Sequence, residues 1–458
     1  MAKYHFIGIG GIGMSALAAC CCQRGDEVTG SDRAYFAGTQ DRILQALETG
    51  GIKIFPQDGS FVSGGKPDAI VFSSAIEESN PDLAAAAGIR RMHRSELLRD
   101  VVANFPGKTV AVTGSCGKSS VTAYAAEALG NFGIDADCLN GALVNSFIAP
   151  GNAGNYHRGD GRFLVFESDE SDKSLLNYHA DYAVVLNMGC DHYCESEQVE
   201  VFARFLNQTT CAAVIEENVY RHVKPLLRSD LPVRIFGAGA GCDDTLTDYF
   251  IEEFRPAAKF NDLPQLFLPR GGRYTAMNAL AVFSLLQTLG FPEHEAAASV
   301  QRFSGVWRRN DFAGVTVNGT RVFDDYAHNP EKIISCLAAA KEIAPGRIFA
   351  LFQPHGYGPF GFMEAALFEQ LQNFLAPQDR FYLFEPFYAG GTSAMKPSAR
   401  EVIGNWQAKA AVPQCFICAG SREETAQQVI SLAGADDVIV IMGARDNSLS
   451  DYARSMVK

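Results

Sequence analysis

Thr109 to Ser120 reads TVAVTGSCGKSS: a β-prone apolar run closes in a glycine turn, and helix-period positions follow from Val121 to Leu129, with Gly133 as the predicted stop. Strand, glycine turn and helix in that order are the setting of a phosphate-binding loop. Backbone N–H groups of Gly114, Ser115, Cys116 and Gly117 and the positive end of the next helix can surround polyphosphate oxygens. Lys118 is then predicted to reach the β- and γ-phosphates, and the Ser119 hydroxyl, next to Ser120, to hold Mg²⁺. The strict pattern G-x-x-x-x-G-K-[ST] is not met, because Val112 stands at its first glycine. The motif is a compact G-x-x-G-K-S form.

Further residues suited to chemistry lie at the ends of predicted strands. Phe163 to Phe166 is a buried-type strand that releases Glu167-Ser168-Asp169-Glu170-Ser171-Asp172. Four carboxylates in six residues repel one another unless a cation compensates them. They suit a solvated helix start, or a Mg²⁺ site at the ligand-facing edge of an open α/β sheet. The next strand, Tyr182 to Asn187, is followed by Asp191-His192, so Glu167 and His192 are expected at the same sheet edge as Lys118. A second glycine motif, Gly8-Ile9-Gly10-Gly11-Ile12-Gly13, joins the strand Tyr4–Ile7 to the helix Met14–Gln23, and a following strand ends in Gly30-Ser31-Asp32. In isolation the pattern suits a dinucleotide, with Asp32 placed to meet a ribose hydroxyl, or glycines that only let helix and strand pack closely. It does not say which nucleotide.

The elements that position these residues alternate strand and helix throughout. Ala69 to Ile76 reads as a buried strand and Asn80-Pro81 as a helix start; strands at Arg321–Phe323, Ile348–Phe352, Phe381–Phe384 and Val438–Met442 alternate with helical runs. The fold class is α/β in three domains: a Rossmann-like domain at 1–105, a central P-loop domain with a mainly parallel sheet at 106–304, and a second Rossmann-like domain at 305–458. A chain of 458 residues exceeds what one core serves. Its net charge of −13 argues against a broad nucleic-acid surface, and no apolar run is long enough to span a bilayer. Without a signal peptide the expected location is cytoplasmic, with no membrane or nucleic-acid partner and a monomer or homodimer as the assembly. The twelve cysteines show no disulfide spacing: Cys20-Cys21-Cys22 reads as small buried hydrophobes, Cys415 and Cys418 form a lone C-x-x-C, and Cys190 to Cys194 lacks a second zinc-ligand pair.

Taken in order, these motifs resemble the Mur ligase family of ATP-dependent amide ligases across nearly the whole chain. Gly8 to Ser15 is similar to that family's UDP-binding loop, with Ser73-Ser74-Ala75-Ile76, Asn80-Pro81 and Arg94 to Leu98 matching in turn. Thr113 to Ser119 is similar to its phosphate loop, Glu167 to Asp172 to its acidic motif, and Asn187 with Asp191-His192 to the motif after it. Arg308-Arg309, Asp324 to Pro330 and Phe352-Gln353-Pro354-His355 match its carboxyl-terminal domain. The resemblance implies that a carboxylate of UDP-N-acetylmuramate or a related UDP-sugar is phosphorylated by ATP and joined to the amine of an amino acid or peptide, in peptidoglycan synthesis or recycling. It implies that Lys118, Glu167 and His192 are catalytic, that Ser119 and Glu167 hold Mg²⁺, and that His192 holds a second metal. Asn278 would contact adenine, Arg309 a phosphate and Asp325 the ribose. Gly10 to Gly13, Ser31, Asp32, Ser73 to Ala75, His328 and His355 would face the substrates.

Departures from the family pattern fall at the amine. Alanine-adding members carry Arg where this chain has Gly356 and Pro359, so the implied carboxylate clamp is missing, and Arg445 in Gly443-Ala444-Arg445-Asp446 is the candidate replacement. Cys116 departs within the phosphate loop, Tyr274-Thr275 near the adenine, Asn329 beside His328, and Gly391 where a Glu is familiar. A Mur-like ligase of another acid and amine is the alternative. A nicotinamide-dependent oxidoreductase would leave Lys118, Glu167 and His192 without a role. A nucleotide-binding regulator would leave them needlessly intact.

Overall fold

The computed structural model describes residues 1–36, 41–170, 172–189, 194–387 and 395–458. Its contacts group into two compact units, the first comprising Met1–Asp248, Lys259–Leu266 and Met277–Val306, the second Tyr249–Ala258, Phe267–Ala276 and Trp307–Lys458. Among the described residues no helix is long and apolar enough to cross a membrane.

Three sheets carry the chain. The first takes β1 (Lys3–Ile7), β2 (Glu27–Asp32), β3 (Lys53–Pro56), β4 (Ala69–Phe72) and β5 (Arg90–His93) in the order β3-β2-β1-β4-β5, all parallel. Phe6, Ile7, Ile70 and Val71 are fully buried, as a parallel sheet covered on both faces requires. The strand order reverses between β1 and β4, so the glycine turn after β1 lies at the switch point where such sheets take ligands. The helix behind it runs Ile12–Gln23, two residues longer at its start than the sequence suggested, and buries Cys20 and Cys21 as apolar filling. β4 ends at Phe72 rather than Ile76: Ser73 to Ile76 fold into a turn closed by the Ile76 N–H on Ser73 O at 3.0 Å.

The central sheet has ten strands: β6 (Lys108–Thr113), β7 (Asp137–Leu139), β8 (Tyr156–His157), β9 (Phe163–Glu167), β10 (Tyr182–Val185), β11 (Ala212–Glu216), β12 (Val233–Gly237), β13 (Asp244–Glu252), β14 (Arg255–Phe260) and β15 (Leu266–Phe267). Its parallel run is ordered β13-β12-β11-β10-β6-β9-β7, which sets the phosphate loop after β6 between the carboxyl ends of β10 and β9. The third sheet orders β16 (Asp311–Val315), β17 (Arg321–Asp325), β18 (Ile348–Phe352), β19 (Arg380–Leu383), β20 (Phe416–Cys418) and β21 (Val438–Met442) as β16-β17-β21-β18-β19-β20, with only the β16–β17 pair antiparallel. The described cysteines are all free.

One core residue carries a pH signature. His5 in β1 is wholly buried, stacked on Phe61 with ring centroids 3.9 Å apart, and shares a 2.9 Å hydrogen bond with Thr29 Oγ1. Burial pushes its pKa down to about 3, so the folded chain keeps the ring neutral while the unfolded chain protonates it below its ordinary value. Stability from this group is complete above that ordinary value and declines as pH falls toward 3. At pH 5 the loss is about 2 kcal/mol. Denaturant unfolding of wild type and His5→Phe at pH 7 and pH 5 is expected to show the wild type losing that much more than the variant; equal losses would contradict the assignment.

Candidate active site

The phosphate loop is shaped by two glycines and one asparagine. Gly114 and Gly117 adopt left-handed φ values of +139° and +88°. A Cβ on Gly117 would lie 2.8 Å from Asn278 Oδ1, so the residue expected at the adenine abuts the loop. Asn187 clamps the turn from the end of β10. Its Oδ1 accepts the Cys116 N–H at 2.8 Å and its Nδ2 donates to Cys116 O at 2.9 Å. Gln198 adds a hydrogen bond to Ser115 Oγ at 3.1 Å. Neither contact was foreseen, because sequence spacing does not show which side chain closes a turn from another strand.

The helix Lys118–Gly130 starts immediately after Gly117, three residues before the predicted start, because the left-handed glycine turns the chain directly into helical geometry. Lys118 Nζ donates to Gly114 O at 2.8 Å and to Glu170 Oε2 at 2.7 Å, and lies 3.9 Å from Asp169 Oδ1. Burial works against its charge, but Glu170, Glu167 and Asp169 outweigh that and hold the ammonium above its ordinary pKa. The acidic motif is therefore compensated by cations rather than simply solvated, with Arg94 pairing Asp172 at 3.4 Å and Asp169 at 3.8 Å.

Glu167 ends β9 beside the loop. Its Oε2 accepts the Gly141 N–H at 2.9 Å, and its carboxylate shares a hydrogen bond with Ser119. Burial raises its pKa, against the opposing pull of Ser119 and Lys118. Asn140 Nδ2 donates to Ser119 O at 2.9 Å and fixes the start of the loop helix. A hydroxyl and a carboxylate in contact are hard oxygen donors, which fits Mg²⁺ completing its shell with water and phosphate oxygens. His192 lies outside the described residues, as does Gly391. Among the described residues no three His, Cys, Asp or Glu side chains converge as a metal cluster.

A cavity of about 320 Å³ joins this site to the first glycine turn, with Gly11, Ile12, Gly13 and Ser73 on one side and Asn140, Gly141, Glu167 and Asp169 on the other. Asn155 ties the two sides, its Nδ2 donating to Ile12 O at 2.8 Å and to Ser15 Oγ at 2.7 Å. Ser74 and Ala75 follow Ser73 and are exposed. Asp32 is occupied locally: its two oxygens accept the N–H groups of Gly10 at 2.8 Å and Ala34 at 2.9 Å, closing the glycine turn. Ser31 is buried and donates to the Asp82 carboxylate.

In the second unit the carboxyl ends of β17, β21 and β18 gather a further group. Arg308 is 1% exposed, pairs with Asp324 at 3.2 Å and donates to the carbonyls of Gly443, Ala444 and Asp446, which makes it a tie between strand ends. Arg309 is exposed and lies over the Tyr326 ring, 5.2 Å from its centroid, as the Arg308 guanidinium does at 5.4 Å. Asp325 accepts the Asn310 N–H at 2.6 Å and the Ala327 N–H at 2.7 Å; burial raises its pKa against the pull of Arg309. His328 Nδ1 donates to Tyr326 O at 2.9 Å, and its ring meets that of His355 edge-on at 5.2 Å. Burial lowers the pKa of both imidazoles, with further repulsion at His355 from His328 and Arg445. Arg445 is exposed, and its Nη1 lies 4.0 Å from where a Cβ on Gly356 would be. Arg422, which sequence reasoning missed, donates to Asp446, Gln353 and Ser448 and braces the same strand ends.

Known proteins fit this arrangement. Residues 3–106 match the Mur ligase family, catalytic domain, and residues 308–445 match the Mur ligase, glutamate ligase domain. The UDP-N-acetylmuramate–L-alanine ligase of Agrobacterium fabrum is 31% identical over 463 residues, covering 96% of this chain and 93% of its own. The chain belongs to the Mur ligase family. The enzyme of the same name from Symbiobacterium thermophilum is 31% identical over 97% of this chain and 92% of its own. In fold, this Mur ligase superposes on the UDP-N-acetylmuramate–alanine ligase of Thermotoga maritima with a TM-score of 0.80 at 24% identity, covering 100% of this chain and 98% of that one. A murein peptide ligase from Psychrobacter arcticus follows at 0.64 and 22%, over 100% and 98% of the two chains. As a Mur ligase it catalyses the ATP-dependent joining of a carboxylate to an amine, with ADP and phosphate released.

Proposed function

We propose that this Mur ligase activates the carboxylate of UDP-N-acetylmuramate as an acyl phosphate and transfers the acyl group to the amine of an amino acid or short peptide, in the cytoplasm, for peptidoglycan synthesis or recycling. The observation that carries the reading is the cavity running from Gly11–Gly13 to Glu167, beside Lys118. A UDP-sugar held at the glycine turn can extend its acid along that cavity to the phosphate loop. Three domains share the work in this reading: 1–105 holds the UDP-sugar, 106–304 the ATP, and 305–458 the amine.

The steps follow from charge. The loop N–H groups and Lys118 hold the γ-phosphoryl group and offset the charge that grows on its oxygens as the acid's carboxylate attacks. Ser119 and Glu167 would hold Mg²⁺ and His192 a second metal, and these would supply further neutralisation of the phosphate charge. Asn278, beside the loop, would contact the adenine, and the second unit would offer Arg309 to a phosphate and Asp325 to the ribose. In this reading the imidazoles of His328 and His355, which burial keeps neutral, take a proton from the incoming ammonium; the freed amine then attacks the acyl carbon and phosphate leaves.

Arg445 receives the carboxylate of the amine substrate, reaching over Gly356 from the end of β21. The uncharged Gly356 and Pro359 favour an amine other than alanine, which keeps a Mur-like ligase of a different acid and amine as the second reading. Phosphate release from ATP and Mg²⁺ with UDP-N-acetylmuramate, screened over amino acids and wall peptides, tests the proposal; silence with every amine would overturn it. With the amine that works, Arg445→Ala is expected to raise the amine's KM about 30-fold and to leave the KM for ATP unchanged. An unchanged amine KM would remove Arg445 from the site.

A further inference from the structure

We propose that Arg94 is the cation that receives an anionic group of the acid substrate, and that it leaves Asp169 and Asp172 to do so. The inference rests on the reading that a UDP-sugar acid occupies the cavity at the glycine turn.

Arg94 opens the helix Arg94–Ala103 at the end of β5 and reaches across to the glycine turn, where its Nη1 lies 3.3 Å from the position of a Cβ on Gly13. Of the described residues lining the cavity it alone is cationic; the other charged groups there are Glu167 and Asp169. An anion entering this space meets two carboxylates and one guanidinium, so Arg94 decides whether it is admitted. Its present partners hold it loosely, at 3.4 Å from Asp172 Oδ2 and 3.8 Å from Asp169 Oδ2, with its side chain a quarter exposed. Long, partly hydrated ion pairs of this kind are weak, whereas a guanidinium grips phosphate or carboxylate with two parallel hydrogen bonds.

The exchange also reaches the phosphate loop. Asp169 turns one oxygen to Arg94 and the other to Lys118, 3.9 Å away, so an anion that takes Arg94 leaves Asp169 to the lysine and to the Glu167 wall. Asp169 and Asp172 are in this sense internal competitors that occupy Arg94 until substrate arrives.

Calorimetric titration of the full chain with UDP-N-acetylmuramate, UDP and ADP tests this. Arg94→Met is expected to weaken UDP-N-acetylmuramate about 30-fold and to leave ADP binding unchanged, with Arg94→Lys between the two. If UDP weakens equally the anion is the diphosphate; if only UDP-N-acetylmuramate weakens it is the carboxylate. Asp172→Asn removes a competitor for the guanidinium, so UDP-N-acetylmuramate is expected to bind about 3-fold tighter, the opposite of what loss of a structural ion pair would do. Wild-type affinity in Arg94→Met, or weaker binding in Asp172→Asn, would overturn the inference while the function stands. Absence of UDP-N-acetylmuramate binding to the wild type would overturn both. Arg94→Lys, which keeps the charge, guards against an Arg94→Met chain that fails to fold.

Discussion

Lys118→Ala is expected to lower turnover by at least about 10³-fold, because in the proposed mechanism its ammonium offsets the charge that develops on the transferring phosphoryl group. The same substitution is expected to cost stability as well. Glu170 is nearly buried, and Lys118 at 2.7 Å is the cation that balances it. Removing one partner of such a pair leaves an uncompensated charge, at a cost of about 3 kcal/mol. The two effects separate in a second variant. Lys118→Ala with Glu170→Gln should regain most of the lost thermal stability and none of the lost turnover, read by melting and by phosphate release. Recovery of turnover in the double variant would make Lys118 a structural residue.

Much of this site was legible because its parts are local. A strand that must end, a glycine that must turn the chain and a helix that must begin are fixed within about ten residues, so Gly114 to Ser120 and Gly8 to Gly13 could be read directly. What was illegible depends on residues far apart in the chain. Asn187 looked like a polar strand end but clamps Cys116; Asn140, Gly141 and Asn155 carried no motif but tie Ser119, Glu167 and Ile12 together. Arg308 and Arg309 read as one basic pair; both stand over Tyr326, and burial makes Arg308 a strand-end tie while Arg309 stays exposed. Asp32 fits a ribose by spacing alone. In the fold its oxygens already accept two backbone N–H groups, a contact that spacing does not reveal.

Gly141 has no chemistry of its own, yet it sets the position of Glu167, the proposed Mg²⁺ ligand. Its N–H holds Glu167, and a Cβ added there would lie 2.5 Å from Glu167 Oε2 and 2.7 Å from Oε1 and Cδ. Its φ is not left-handed, so alanine meets no backbone strain and the whole effect falls on the carboxylate. Gly141→Ala is therefore expected to push Glu167 away from Ser119, raising the Mg²⁺ needed for half-maximal turnover about 10-fold and lowering the rate at limiting Mg²⁺ by up to the same factor. Saturating Mg²⁺ should restore much of the rate, since the phosphate loop itself is untouched. Adding Glu167→Asp shortens the side chain by one methylene and relieves the clash. The pair should then need less Mg²⁺ than Gly141→Ala alone. A Mg²⁺ titration that superposes on the wild type would show that Glu167 does not hold the metal, because a ligand displaced by a methyl group cannot keep its affinity.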